Sequence, residues 1–226
     1  MRPRTLLGGG LLAFALAAGL AAQQPGVHPV SGRRFAPVMG YQGAPWLERS
    51  ERDDEEAPDL ALNALKIPKG ASVADIGAGS GYITVRLAAR VGPTGRVFAN
   101  DVQPQMLNML ARRLDKSKIT NVTLIEGTFD DPKLPPASVD LAIMVDVYHE
   151  LSQPQAILRH LRESLKPGGR LVLLEYRKED PTVPIKPEHK MSVAEAKMEV
   201  EAEGFTLTKV DEALPRQHIL IFVAKP

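Results

Sequence analysis

The segment Val73-Ala74-Asp75-Ile76-Gly77-Ala78-Gly79-Ser80-Gly81-Tyr82 constrains this chain more than any other. A short apolar run ends in an acid, glycine then takes every second position, and an apolar, helix-compatible stretch follows. A buried strand turns sharply into a helix in this way while leaving its backbone bare for a ligand. Glycine tolerates positive φ and lets a ligand approach the main chain closely.

Around this turn the chain alternates. The pattern predicts helices at Pro58–Leu65, Tyr82–Val91, Gln105–Leu114 and Pro154–Leu165. Strands are expected at Ser72–Ile76, Gly95–Asn100, Val122–Glu126, Val139–Val145 and Gly169–Tyr176. Strands separated by helices of this length need crossovers, which give a doubly wound α/β domain: a parallel sheet with helices on both faces. The end of the chain differs. A helix at Val193–Glu203 precedes strands at Phe205–Val210 and His218–Ala224, and two strands joined by a short connection pair antiparallel.

The N-terminus does not belong to this unit. Arg2 and Arg4 precede the uncharged stretch Leu6–Ala22, and Gly19, Ala21 and Ala22 lead into Gln23-Gln24-Pro25. A basic start, an apolar middle and a small-residue exit read as a secretory signal peptide over residues 1–22, implying export. The alternative is an uncleaved membrane anchor. Residues 23–56 form an irregular, then highly charged, extension. Trp46–Glu56 reads as a solvated helix or linker, and Trp46 with Tyr41 could fold over a ligand site as a lid. Residues 57–226 form the domain. A formal net charge of +1 gives no case for nucleic acid, and the absence of cysteine excludes disulfides and thiol catalysis.

In an open parallel sheet, ligands bind beyond the carboxyl ends of the strands. The residues there are Asp75 with Gly77, Gly79 and Gly81; Asp101; Gly127, Thr128, Phe129 and Asp130; and Asp146, Val147, Tyr148, His149 and Glu150. An acid ending the second strand can accept hydrogen bonds from both hydroxyls of a ribose. An acid ahead of the glycines disfavours a phosphate and favours an ammonium group. A ligand with a nucleoside at one end and an amino acid at the other satisfies both, and S-adenosylmethionine is such a ligand. The structural alternative has Asp75 capping the loop and Asp101 capping the next helix.

Beginning near Leu60, the chain resembles the class I S-adenosylmethionine-dependent methyltransferases, most closely those acting on small molecules. Val73–Gly81 matches the family's first motif, Asp101 its ribose-binding acid, and Leu165-Lys166-Pro167-Gly168-Gly169-Arg170-Leu171 its turn into strand five. The resemblance implies a Rossmann-like, seven-stranded sheet whose last strand is antiparallel, with S-adenosylmethionine as cofactor and a small-molecule substrate. It places Gly77 and Gly79 against the amino acid portion with Gly81 completing the loop, Asp75 near the ammonium, Asp101 on the ribose, and Gln103 or Met106 beside the adenine. Many relatives carry an acid directly after the strand-three glycine; here Thr128 or Asp130 stands in.

After strand four, Asp146, Tyr148 and His149 face the methyl group in this fold. His149 is the expected base for an acceptor that must lose a proton, because imidazole titrates near neutrality; Tyr148 and Asp146 orient ligands or share in the chemistry, and Asp146 also counts among the cofactor contacts. Beyond strand five, Arg177 and Lys190 are candidates to receive an anionic substrate and His189 to act as a second base. His218 reads as structural, and His28 and His160 as surface residues. No group of histidines and acids has metal-ligand spacing in the sequence, so no metal is expected. Two other functions stay open: a cofactor-binding protein without catalysis, and a nucleotide-dependent oxidoreductase. The acceptor and the oligomeric state are not encoded in any motif.

Overall fold

Strand order in the computed structural model, which describes residues 26–225, is β3-β2-β1-β4-β5-β7-β6. Residues 1–22, read above as a signal peptide or anchor, lie outside the described residues. Two short helices come first, α1 (Ala44–Leu47) and α2 (Arg52–Glu56), followed by α3 (Pro58–Ala64). The alternating unit is then β1 (Ser72–Ile76), α4 (Thr84–Val91), β2 (Arg96–Asp101), α5 (Pro104–Ser117), β3 (Val122–Glu126), β4 (Val139–Val145), α6 (Pro154–Ser164) and β5 (Leu165–Tyr176). The chain closes with α7 (Val193–Ala202), β6 (Phe205–Asp211) and β7 (Gln217–Ala224).

Local chemistry explains the boundaries. Pro58, Pro104 and Pro154 each sit at the first position of a helix, where the missing N–H costs nothing. Ser192 and Glu195 form a reciprocal capping box at the start of α7. The run Pro167-Gly168-Gly169 forms a bulge rather than a turn ahead of the strand. Leu165 already pairs with Val139, and the register then jumps so that Arg170 faces Leu141.

β1 to β5 run parallel, and β7 inserts antiparallel between β5 and β6. Alternation along the central strands sends side chains to two cores. On one face Ala74, Ile76, Ala142 and Met144 meet Ile157, Leu158 and Leu161 of α6 and Val200 of α7. On the other, Val73, Val97, Leu141 and Ile143 meet Leu62 of α3 and Leu87 and Val91 of α4. The chain reverses its direction of winding between β1 and β4, so a crevice opens at their carboxyl ends.

The extension is more ordered and more buried than its charge suggests. Arg52 and Glu56, expected on a solvated surface, are both buried, as is His28. Arg33 explains the packing: its guanidinium donates to both carboxylate oxygens of Glu199 on α7, at 3.0 and 2.9 Å, and to the carbonyl of His149 at 3.0 Å. Ser31 also donates to Glu199, at 2.5 Å. Residues 28–36 thus strap the extension across α7 and the turn after β4.

Candidate active site

A cavity of about 420 Å³ occupies the crevice, within the range of small-ligand sites. Its floor is the turn after β1. Gly77 has φ 69°, and a Cβ there would lie 2.6 Å from Val147 Cγ2, so neither the backbone nor the space admits a larger residue. Gly79 lies on the wall and donates its N–H to Asp101 Oδ2 at 2.8 Å. Gly81 occupies a different position from the other two. It lies off the cavity wall, and its missing Cβ makes room for Leu110 of α5.

Asp101 ends β2 with its carboxylate fixed from two sides, by Gly79 N and by Gln103 N, each at 2.8 Å. Each oxygen keeps a lone pair for another donor. Burial nevertheless raises its pKa above the ordinary value. Asp75 accepts from Thr84 Oγ1 at 2.6 Å. Burial pushes its carboxyl up to about 6; the Thr84 hydrogen bond opposes this and the Asp101 charge adds to it. Gln103 and Met106 lie on the same wall, and Gln103 Nε2 donates to Met39 O at 2.9 Å. Thr128 also reaches the wall, but its hydroxyl is committed to Asp130 at 2.6 Å within the turn. Asp130 is exposed and off the wall.

The extension closes the opposite side. Val38, Met39, Trp46, Leu47 and Arg52 all line the cavity. Tyr41 holds Gln103 Oε1 through its backbone N–H but does not itself line it. Arg52 lies over the Tyr82 ring, 4.2 Å from its centroid, and donates to Glu56 Oε2 at 2.7 Å. Its guanidinium is 4.0 Å from Asp146. The charge run Trp46–Glu56 concealed this buried cation.

After β4 the backbone is unusual. Asp146 has φ 55°, a region costly for a residue with a Cβ. Its carboxyl lines the cavity and accepts from Gln217 Nε2 at 2.9 and 2.8 Å. Burial, with Glu56 and Glu175 nearby, drives its pKa well up. The 3-10 turn Tyr148–Glu150 then sends neighbouring side chains opposite ways. Tyr148 is a correction to the expected site: its side chain is fully buried off the cavity wall, with its ring beneath Arg33. His149 does line the cavity. Its Nδ1 lies 2.5 Å from Glu175 Oε2, and its Nε2 lies 3.1 Å from His189 Nδ1. Burial alone would lower the His149 pKa, but the Glu175 charge and hydrogen bond outweigh it and raise the value. Glu150 is pushed up to about 7 by burial, against the pull of His149.

The segment after β5 divides. Pro184, Ile185, Lys186 and His189 reach the cavity. Arg177 and Lys190, expected to receive an anion, do not. Arg177 is taken up by Glu212 and the carbonyls of Leu214 and Pro215, and Lys190 by Asp180 O. His218 is held between Glu212 and Glu179, at 2.6 and 3.0 Å. His160 is exposed. Sequence spacing gave no metal-like group, but the fold brings one set of histidines and an acid together. His149, Glu150 and His189 bring three ligand atoms within 4.8 Å of one another, from positions forty residues apart.

Residues 73–169 match the family model described as a methyltransferase domain. In overall shape the chain resembles a SAM-dependent methyltransferase from Aquifex aeolicus, with a TM-score of 0.77 and 26% identity over 82% of this chain and 98% of that one. Residues 73–169 thus carry a methyltransferase domain, in a fold shared with a SAM-dependent methyltransferase. The methyltransferase domain is 32% identical over 127 residues to a ubiquinone/menaquinone biosynthesis C-methyltransferase UbiE from Hahella chejuensis, covering 56% of this chain and 50% of that protein. It is 40% identical over 84 residues to a probable cobalt-precorrin-6B C(15)-methyltransferase from Saccharolobus solfataricus, covering 34% of this chain and 42% of that one. The chain thus spans about half the length of the curated relatives it matches. Among the described residues, no helix is long and apolar enough to cross a membrane.

Proposed function

We propose that this methyltransferase moves the methyl group of S-adenosylmethionine to a small-molecule acceptor, with the cofactor lying across the β1–β4 crevice. One observation carries the reading. A single cavity wall combines a carboxylate with free lone pairs (Asp101), an acid beside a buried cation (Asp75, Arg52) and an imidazole cluster (His149, His189). The first suits a ribose diol, the second the ammonium and carboxylate of an amino acid, and the third an acceptor.

In this pose Gly77 and Gly79 leave the backbone open to the amino acid portion, and Gln103 and Met106 flank the adenine. Thr128 contributes packing at that end, since its hydroxyl proton is already used. Methyl transfer is an in-line displacement. The acceptor atom forms a bond to the methyl carbon, the carbon–sulfur bond breaks towards sulfur, and S-adenosylhomocysteine leaves. Sulfonium is already a good leaving group, so alignment and exclusion of water carry most of the acceleration. A protic acceptor loses its proton at the Nε2 side of His149, whose ring Glu175 orients. Asp146 positions ligands through Gln217 and Arg52. The curated relatives, named as C-methyltransferases of biosynthetic intermediates, support a small organic acceptor. Residues 38–52 serve as the roof of the site. Export through residues 1–22 rests on sequence pattern alone, and places the reaction where the cofactor has to be supplied from the cytoplasm.

Calorimetric titration of the full chain with S-adenosylmethionine should show one site per chain. Absence of binding to folded protein overturns the proposal. Formation of S-adenosylhomocysteine with any of a panel of phenols, quinols, thiols and amines separates an enzyme from a protein that only binds the cofactor.

A further inference from the structure

We propose that His149, Glu150 and His189 form a binding site for one divalent transition-metal ion at the acceptor end of the cavity. Three features of the geometry converge on this assignment.

The first is spacing. His149 Nε2 and His189 Nδ1 are 3.1 Å apart, and Glu150 Oε1 lies 3.9 Å from the first and 3.6 Å from the second. Ligand atoms bonded at about 2.1 Å to one ion sit roughly 3.0 Å apart in octahedral geometry and roughly 3.4 Å apart in tetrahedral geometry. The tetrahedral spacing is the nearer fit: the Glu150 distances shorten by about 0.2 and about 0.5 Å through rotation of that side chain, and the two nitrogens part by about 0.3 Å.

The second is the outer partner. Metal-bound histidines commonly give their other ring nitrogen to a carboxylate, which fixes the tautomer and aims the lone pair. Glu175, fully buried, takes that place against His149 Nδ1 at 2.5 Å, and its second oxygen is held by Tyr148 N at 2.9 Å. With Nδ1 carrying the proton, Nε2 presents a lone pair to the cavity.

The third is an unmatched charge. Glu150 Oε2 accepts from Met39 N at 3.3 Å, while Oε1 turns to the two imidazoles. Among the described residues, Glu150 has no Lys or Arg within 4.0 Å, although only 13% of its side chain is exposed. With only two imidazoles to offset it, this carboxylate is costly to bury in its charged form, and an ion between the three side chains removes that cost.

Two imidazoles and one carboxylate suit zinc, iron(II), manganese or cobalt rather than magnesium or calcium, which prefer oxygen ligands. Three ligands on one side of the ion leave positions open towards the cavity. Resting on the methyltransferase reading, the inference gives those positions to an oxygen of the acceptor. With the ion bound, His149 Nε2 is a ligand and no longer the base: the coordinated O–H loses its proton to water, and the electron-rich acceptor then takes the methyl group as the carbon–sulfur bond breaks. No oxidant or reductant enters.

The test uses untagged full chain stripped with chelator, since a polyhistidine tag would itself bind metal. Titration with zinc(II) should show one site per chain, and cobalt(II) should develop visible absorption bands. His189→Ala and Glu150→Gln should each weaken zinc binding by at least tenfold, and Glu175→Gln by about tenfold to a hundredfold. Calorimetry with S-adenosylmethionine runs alongside, and thermal melting confirms that each variant is folded. His189→Gln repeats the test if the alanine variant fails to fold. Zinc binding that is absent in the wild type, or undiminished in both ligand variants, overturns the site and means that the imidazoles share a proton instead. Wild-type protein that binds S-adenosylmethionine but not zinc sinks the metal site alone; wild-type protein that binds zinc but not S-adenosylmethionine sinks the methyltransferase reading alone.

Discussion

Replacing Asp101 with alanine tests the placement of the cofactor. Two backbone amides already hold its oxygens, from Gly79 and Gln103 at 2.8 Å each, so one lone pair on each oxygen is directed to the ligand. Hydrogen bonds to a charged group contribute roughly 1.5–3 kcal/mol each. At the lower figure, two ribose hydroxyls lose about 3 kcal/mol together, which raises the Kd for S-adenosylmethionine about 150-fold. The two amides left without a partner lower the stability of the free protein rather than the affinity, so melting temperature should fall as well. Calorimetry below the variant's transition separates the two effects. Fragments sharpen the test: affinity for adenosine, which carries the ribose, should fall with that for the cofactor, whereas affinity for methionine should not. A folded Asp101→Ala protein that binds S-adenosylmethionine within threefold of wild type would refute the ribose assignment.

Other perturbations follow from the same structure. Gly77→Ala forces a Cβ against Val147 at φ 69°, and should cost about 1–3 kcal/mol in chemical denaturation and weaken cofactor binding. Arg33→Ala leaves Glu199 buried without its partner, with a loss of about 3–5 kcal/mol. Restoring neutrality in Arg33→Met/Glu199→Gln should recover much of it, and a loss under 1 kcal/mol in the single variant would show that the strap is not fastened there. Asp75 has a folded pKa of about 6 against an ordinary 3.8, so the folded state holds its proton more tightly. Its contribution is therefore fully present below pH 3.8 and is lost as pH rises through 6, a change of about 3 kcal/mol. Asp75→Asn removes this slope, so its stability relative to wild type should rise between pH 4 and pH 7; parallel curves would contradict the burial argument.

The sheet, its switch point and the gathering of Asp75, Gly77, Gly79 and Asp101 on one cavity wall were readable in the sequence because local rules govern them. The strand, acid and glycines of Val73–Gly81 are contiguous, and Asp101 is placed by the end of a strand. The acceptor end obeys no such rule. His149 and Glu150 meet His189 through the course of a proline-containing loop, which no periodicity encodes. Tyr148 and His149 are neighbours in sequence, yet a 3-10 turn sends one into the core and the other to the cavity. Arg52 was hidden because a dense run of charge looks the same whether its members are solvated or, like Arg52 and Glu56, buried together. His28, expected at the surface, is buried for another reason: only the strap led by Arg33 gives it an interior.

The carbonyl of His149 receives two donors from the extension, Arg33 Nη1 at 3.0 Å and Ala36 N at 3.1 Å, and the carboxylate of Glu150 receives Met39 N. The same stretch of chain leads directly into the roof formed by Met39, Trp46, Leu47 and Arg52. Access and alignment are therefore mechanically linked. Any displacement of residues 33–39 large enough to admit a bulky molecule also withdraws the donors that hold the 148–150 turn in register. Opening the roof by that route would therefore slacken the 148–150 turn as well, and re-seating the strap would restore both at once.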